Sequence, residues 1–384
     1  MRITRLEAIP FRLPRRTDVR WAGLEMGIGN FVLVRLHTDG DVVGLGEVNP
    51  LPDWGSDHGR QGGETQASVC ALLSEIVGPA IVGLDPCNRT MVRRAVDRYL
   101  RGHPYVKASV DMALHDIMGK VSAQSVTQLL GGPARDGVEV SHMLGLMPVE
   151  DAVAEAEAAW GEGVRAFQIK GGVSPDRDVG LICKLRERLP TSAVLRLDLN
   201  GTKRSAKQVR AELGEALELL NYLEQPVEGV VELARSTRDL PVPIIADESC
   251  WTVHDALDLA QLGAADAFSI YVAKAGGITG SMEIDVVASS TARLCDVNGG
   301  FESGVGNAAN LHVATAGRST DLPCVISATA LDDSLTSEVA ARYYTDDIVT
   351  ESFTFTHGTL HAPTGPGLGV TIDEERLARY RVDD

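Results

Sequence analysis

No stretch of the 384-residue chain is apolar for the length a membrane-spanning helix needs. Its six cysteines, Cys70, Cys87, Cys183, Cys250, Cys295 and Cys324, form no Cys-x-x-Cys pair and no zinc-like spacing. Scattered in this way they read as reduced core residues of a cytoplasmic protein. Positive charge is short: 36 Lys and Arg against 53 Asp and Glu give a formal net charge of −17. That balance argues against nucleic acid or an anionic membrane as a partner. The first residues, MRITRLEAIPFRLPRR, hold no uninterrupted apolar core, so no secretory leader is expected. No Gly-x-Gly-x-x-Gly follows a predicted strand, which counts against a dinucleotide-binding fold.

What is present is an ordinary apolar share, 44%, and length enough for a large barrel or two to three domains. The runs ITRLEAIPF and FVLVRLHTDGDVVGLGEV read as strands, with TDGD as a hairpin turn. A loop rich in Gly, Pro and Asp follows, NPLPDWGSDHGRQGG. In VKASVDMALHDIMGKV the apolar residues Val110, Ala113, Leu114, Ile117 and Val121 recur at helical spacing, and LLGG closes a helix with glycine. Residues 1–125 therefore read as a small α+β domain. From about residue 138 short apolar strands alternate with helices: VEVSHML, helix 150–162, AFQIK, helix 176–189, AVLRLDL, helix 205–219, NYLEQP, helix 230–239, VPIIADES, helix 253–262 and AFSIYV. That order implies parallel strands with right-handed crossovers. A closed (β/α) barrel over 126–339 fits best, with an open doubly wound sheet as the alternative. Residues 340–384 read as extra strands and a Gly/Pro-rich tail returning to the first domain.

The polar residues of this repeat fall in one kind of place. Lys170 ends AFQIK, Asp198 ends AVLRLD, Glu224 ends NYLE and Asp247 ends VPIIAD, at intervals of 28, 26 and 23 residues. In a parallel barrel all strands deliver their carboxyl ends to one face, so three carboxylates and a lysine should converge there. Any one of these acids alone would more simply cap the next helix. Three together repel one another unless a cation sits among them, and all-oxygen ligands select Mg²⁺, or Mn²⁺, over zinc. Such an ion can polarise a substrate carboxylate and stabilise the enediolate left when the α-proton departs. A lysine whose pKa the ion lowers can take that proton. Asn200, two residues past Asp198, is placed to support the ligands.

This constellation, with LEQP, ADES and KAGGI in the same order, resembles the enolase superfamily in its muconate-lactonizing subgroup, over nearly the whole chain. The resemblance implies a modified (β/α)7β TIM barrel with an N-terminal α+β capping domain, Mg²⁺ on Asp198, Glu224 and Asp247, and Lys170 as base. It also implies a small-molecule carboxylate substrate and a homo-oligomer, a dimer or an octamer. The family's base is the second lysine of a Lys-x-Lys pair; here the triplet is Gln168-Ile169-Lys170, so the helper lysine is replaced. The family also sets a lysine at the end of the sixth strand, three residues before the basic residue of KAGG. Counting back from Lys274, that place holds Tyr271. Lys274 itself reads as a surface or ring-closing salt bridge.

GHPYVKASVDMALHDIMGKV, the SDHG loop and FESGVGNAANLHVATA resemble the cis-3-hydroxy-L-proline dehydratases of the family. The Asp-x-Asp of its dipeptide epimerases is absent from VISATALDD. Tyrosine, with a pKa near 10, is a plausible proton donor and a poor base. A racemase needs two groups that each donate and accept, whereas an elimination needs one base and at most an acid opposite. The expectation is thus a lyase that dehydrates a hydroxylated amino acid such as cis-3-hydroxy-L-proline, with Lys170 as base and Tyr271 as general acid. Alternatives are a racemase or epimerase of a cyclic or N-substituted amino acid, and a silent member that binds metal and ligand only. Trp21, Trp54, Asp57, His58, Gln168 and Glu302 are the further candidates for contact with substrate.

Overall fold

A computed structural model describes residues 1–16, 19–23, 28–327 and 338–382. The cap begins with an antiparallel sheet, β1 (Ile3–Arg12), β2 (Asn30–Thr38) and β3 (Val43–Val48), in the order β1-β2-β3. The helix Pro104–Ser122 lies on β3. Gly44 and Gly46, two residues apart and so on one face of the strand, permit that approach. A Cβ at Gly44 would stand 2.3 Å from the Ala113 carbonyl oxygen, and one at Gly46 only 1.9 Å from that of Ser109. Val110, Ala113, Leu114 and Ile117 are buried as their spacing predicts. Val121 is not: in the last turn of the helix it is 51% exposed.

Seven parallel strands follow in chain order: β5 (Ser141–Leu144), β6 (Ala166–Lys170), β7 (Val194–Asp198), β8 (Tyr222–Glu224), β9 (Ile244–Ala246), β10 (Ala267–Tyr271) and β11 (Leu294–Asn298). Residues 319–325 close the ring between β11 and β5. The Cys295 amide donates to Ser319 O (2.6 Å) and the Ser141 amide to Cys324 O (2.8 Å). This is the modified TIM barrel with a capping domain. Strand β10 is buried at every residue, as a strand covered on both faces must be. Several connecting helices start on side-chain caps: Ser174, Ser205 and Thr252 accept from the Arg177, Gln208 and Asp255 amides.

Three details depart from expectation. The run VEVSHML is two strands: β4 (Val138–Glu139) pairs antiparallel with the C-terminal segment before β5 joins the barrel. The helix expected over 205–219 is α-helical over Ala206–Leu213, and Gly214 (φ 51°) turns the rest into a tighter 3₁₀ coil. The C-terminal strands, β12 (Phe355–Thr356) and β13 (Thr359–Leu360), form a sheet with β4 in the order β12-β13-β4 rather than joining the cap sheet. It is the flanking chain that meets β1 and its extension: the Arg16 amide donates to Tyr343 O (2.8 Å), and the Val382 amide to Pro10 O (2.9 Å). From residue 328 on, VISATALDD lies outside the described residues. Among those residues no helix is long and apolar enough to cross a membrane.

Candidate active site

Strand register brings the predicted residues together. Lys170 pairs with Asp198 and Asp198 with Glu224, side by side at the carboxyl ends of β6, β7 and β8. Asp247 follows β9, and all four are buried. Lys170 Nζ donates to Asp198 Oδ2 at 2.5 Å. Gln168 Nε2, two residues back on the same face of β6, donates to Glu224 Oε2 (2.7 Å) and Asp198 Oδ2 (3.3 Å). Lys274 is a buried partner rather than a surface one, with its ammonium on both the side chain and the carbonyl oxygen (2.8 Å) of Asp247. Asn200 steadies Asp198 through its own amide (2.9 Å) and its side chain (3.3 Å).

Arg196 and Glu248, which the sequence reading passed over, complete the layer together with Asp296. Arg196, beneath Asp198, lies 3.2 Å from Glu224 Oε2 and pairs with Asp296 on β11. Glu248 follows Asp247 and accepts from Asn200 Nδ2 (3.0 Å) and Trp54 Nε1 (3.2 Å). Both were findable: Arg196 sits at the strand period from Asp198, and Glu248 is the second acid of ADES.

Five buried carboxylates, Asp198, Glu224, Asp247, Glu248 and Asp296, thus face three buried cations, Lys170, Arg196 and Lys274. A divalent ion placed among them would favour the ionised form of these acids. Glu224 Oε1 and Asp247 Oδ2 have no hydrogen-bond partner, so oxygen donors are available. Among the described residues, however, no three His, Cys, Asp or Glu side chains are gathered to grip an ion as they stand. Lys170, Gln168 and Lys274 hold the oxygens that would have to turn toward it.

Burial pushes the Glu224 carboxyl up to about 8; Arg196 pulls against it, and Asp198 and Asp247 add to it. Burial alone would lower Lys170, but Asp198, Glu224 and Asp247 outweigh it and hold the ammonium above the ordinary lysine value. An added cation acts in the opposite direction on that lysine.

Tyr271 stands at the other wall of the same small cavity. Burial pushes its phenol well above the usual value, and the nearby Asp247, Glu224 and Asp198 push it further. The cavity of ≈ 20 Å³ is lined by Lys170, Tyr271, Gln168, Trp21, Trp54 and Phe301, among others. That is room for about one water, so a substrate must displace part of the wall. Trp54, from the glycine-rich loop, is stacked between Tyr271 (5.3 Å between ring centroids) and Trp251 (5.2 Å). Trp21 lies 5.5 Å from Lys170 Nζ and packs on Phe301. Phe301 holds φ at 64°, uncommon for so bulky a residue, where the wall meets β11.

Three candidates sit elsewhere. Asp57 is buried but accepts from Ser249 Oγ (2.7 Å), pinning the loop to the barrel. His58 points outward, on the half-exposed Glu228 (3.3 Å), because its left-handed backbone (φ 56°) turns it away from the mouth. Glu302 is buried within its own turn, accepting from the Gly300 amide (3.0 Å) and Asn310 Nδ2 (3.1 Å).

Comparison with known proteins agrees with this architecture. Residues 9–131 match the N-terminal domain of mandelate racemase and muconate lactonizing enzyme, and residues 151–376 match the enolase C-terminal domain-like family. The chain belongs to the mandelate racemase/muconate lactonizing enzyme family of the enolase superfamily. Within that family it is 29% identical to muconate cycloisomerase 1 of Rhodococcus opacus, over 98% of both chains. It is 33% identical to the N-succinylamino acid racemase of Thermus thermophilus, over 89% of this chain and 87% of that one. The crystal structure of 2-chloromuconate cycloisomerase from Rhodococcus opacus 1CP superposes with a TM-score of 0.89 at 29% identity, over the whole of both chains. The protein is accordingly an enzyme of this family's general reaction type.

Proposed function

We propose that the enzyme moves a proton at the α-carbon of a small carboxylate, with Lys170 as base and Tyr271 as the acid on the opposite wall. The observation that carries the reading is the placement of these two side chains across one buried cavity, beside three carboxylate-bearing strand ends. Asp198, Glu224 and Asp247 would hold Mg²⁺, for which Mn²⁺ can substitute; when bound it supplies Lewis acidity toward the substrate carboxylate. Lys170 Nζ, once neutral and released from Asp198, accepts the α-proton. Gln168, uncharged, ties Asp198 to Glu224 without adding a proton donor that competes with Lys170. Trp54 and Trp21 exclude water from the pair.

The fate of the resulting enediolate divides two readings. Delivery of the Tyr271 proton to the α-carbon from the other face inverts the centre, and the relative named N-succinylamino acid racemase favours this outcome. A racemase or epimerase of a cyclic or N-substituted amino acid is therefore placed ahead of the dehydratase expected from the sequence. Dehydration of a hydroxylated amino acid such as cis-3-hydroxy-L-proline remains the second reading on one observation. A buried phenol held above its usual pKa stays protonated, so it is present as a donor and not as the phenolate that the reverse turnover of a racemase needs. Incubation of N-acylated and hydroxylated amino acids in D₂O, followed by NMR, separates them. Exchange with inversion supports the racemase and exchange with loss of water the lyase. Absence of exchange from both sets, with Mg²⁺ present, would overturn the shared mechanism.

A further inference from the structure

We infer that the part of the substrate beyond its α-carbon is apolar, that a second carboxylate is excluded there, and that Phe301 sets how long it can be. The inference rests on the reaction proposed above, in which the α-carbon lies between Lys170 and Tyr271. The ring of strands divides evenly about that pair. On one side β7, β8 and β9 separate β6 from β10, and they deliver Asp198, Glu224 and Asp247. On the other side stand β11, the closing segment 319–325 and β5. A substrate whose carboxylate turns toward the first side presents its remaining substituents to the second.

That second side is apolar. Phe301 past β11, Val325 on the closing segment and Met143 on β5 line the inner cavity, with Trp21 and Leu51 from the loops of the cap. All five are buried. Among the described residues that line it, Lys170 is the one cation, and its ammonium is held by Asp198. The Gln168 amide is committed to Glu224 and Asp198. Residues 17–18, 24–27, 328–337 and 383–384, which lie outside the described ones, include no lysine, arginine or histidine. They hold no positive charge with which to answer a second carboxylate. An unpaired carboxylate is costly to bury, whereas an alkyl or aryl group gains by leaving water.

Phe301 is the fixed part of this wall. Its left-handed backbone (φ 64°) is unfavourable for an aromatic residue and has to be held by its surroundings. The hold comes from outside the barrel: its carbonyl oxygen accepts from the Tyr344 hydroxyl (2.7 Å) and from Asn49 Nδ2 (3.3 Å). Its ring packs between Trp21 (5.9 Å between centroids) and Tyr343 (4.4 Å). A wall pinned through its own backbone gives way less readily than one carried on a loop, so this ring limits the depth.

Isothermal titration of the Mg²⁺-loaded protein reads the preference without turnover. The probes are unbranched carboxylates from butanoate to octanoate and the α,ω-dicarboxylates of equal carbon number. In wild type the affinity of the monocarboxylates should rise about fourfold per methylene up to a limiting length. Each should bind at least about tenfold more tightly than its dicarboxylate. Phe301→Ala should move the limiting length out by about two carbons and keep the preference for monocarboxylates. If that variant does not fold, Phe301→Leu should move it by about one. Dicarboxylates binding as tightly as their matches, affinity that does not rise with chain length, no binding of any monocarboxylate, or an unchanged limit in a folded Phe301 variant overturns the inference. Exchange of α-protons of N-acyl amino acids in D₂O reports on the reaction separately. A preference for monocarboxylates without exchange by any substrate keeps the apolar pocket and removes the reaction reading. Exchange confined to substrates with a second carboxylate keeps the reaction and overturns the inference.

Discussion

At the seam between cap and barrel, Glu47 and Asp347 end in hydrogen bonds. Glu47 accepts from the Ser303 amide (2.9 Å), the Ser303 hydroxyl and the Gly306 amide (3.4 Å), and Asp347 accepts from the Gly304 amide (2.8 Å). Together they accept from the first amides of the helix Gly304–Ala316 from outside the barrel, where those amides have no partner within the helix. At the barrel mouth the carboxylates are buried as deeply, yet Glu224, Asp247 and Glu248 each keep an oxygen without a partner. Burial is the same in both places and the bonding is not. Carboxylates whose oxygens are all satisfied hold the protein together. Those left with unmet oxygens are suited to something that arrives from solution.

The strongest test of that contrast removes the ion. A chelator should stop α-proton exchange, by on the order of 10³-fold given several kcal/mol of charge stabilisation, and Mg²⁺ should restore it. Mg²⁺ should also raise the melting temperature of wild type but not of Glu224→Gln, whereas Glu47→Gln at the seam should keep the rise. Exchange at full rate in excess chelator would falsify the metal assignment. Of comparable size, Lys170→Ala should lower exchange by about 10²- to 10⁴-fold with the circular-dichroism spectrum unchanged. Wild-type exchange in that variant would place the base elsewhere. Tyr271→Phe should slow product formation by about 10²-fold while leaving exchange at the α-carbon measurable. Product formed at the wild-type rate would make Tyr271 a wall of the pocket.

How far the sequence reaches follows from the same contrast. The mouth was legible because its residues recur at strand ends, one βα unit apart, so that Lys170, Asp198, Glu224 and Asp247 announce themselves by spacing. The place of Tyr271 at the end of β10 was legible for the same reason. The seam was not, because Glu47 and Ser303 lie 256 residues apart and no local pattern links them. His58 was misplaced because a backbone turn, rather than its position on the loop, decides where its ring points. The division of VEVSHML into β4 and β5 depends on a partner strand near the C-terminus, which periodicity within the run does not reveal.

The seam makes its own, smaller prediction. Burial raises Glu47 to about 8, with the Ser303 hydrogen bonds pulling the other way, from an ordinary carboxylate value near 4.5. Between those values the folded protein holds a proton that the unfolded chain has released. Stability should therefore be greatest below about pH 4.5 as far as this group is concerned, and decline as the pH rises toward 8. The slope should approach about 1.4 kcal/mol per pH unit. Glu47→Gln should flatten that part of the profile in chemical denaturation, and an unchanged slope would mean that Glu47 is ionised in the fold. Smallest of all, His58→Ala at the exposed rim should change stability by no more than about 0.5 kcal/mol. A loss several times larger would return His58 to the working part of the loop.

The stack of Tyr271, Trp54 and Trp251 has an optical consequence. Of the four tryptophans in the chain, Trp21, Trp54 and Trp251 stand at the mouth. The fourth, Trp160, sits under Arg165, 4.1 Å away at the end of a barrel helix. Indoles 5.2 Å apart and nearly parallel couple their transitions, so the near-ultraviolet circular dichroism of this protein should be dominated by one pair. Since a substrate must displace part of the wall to enter, drawing Trp54 from between its neighbours would change both that signal and the emission maximum. The enzyme therefore carries an unlabelled reporter of its own opening, readable in a stopped-flow mixer before any product has formed.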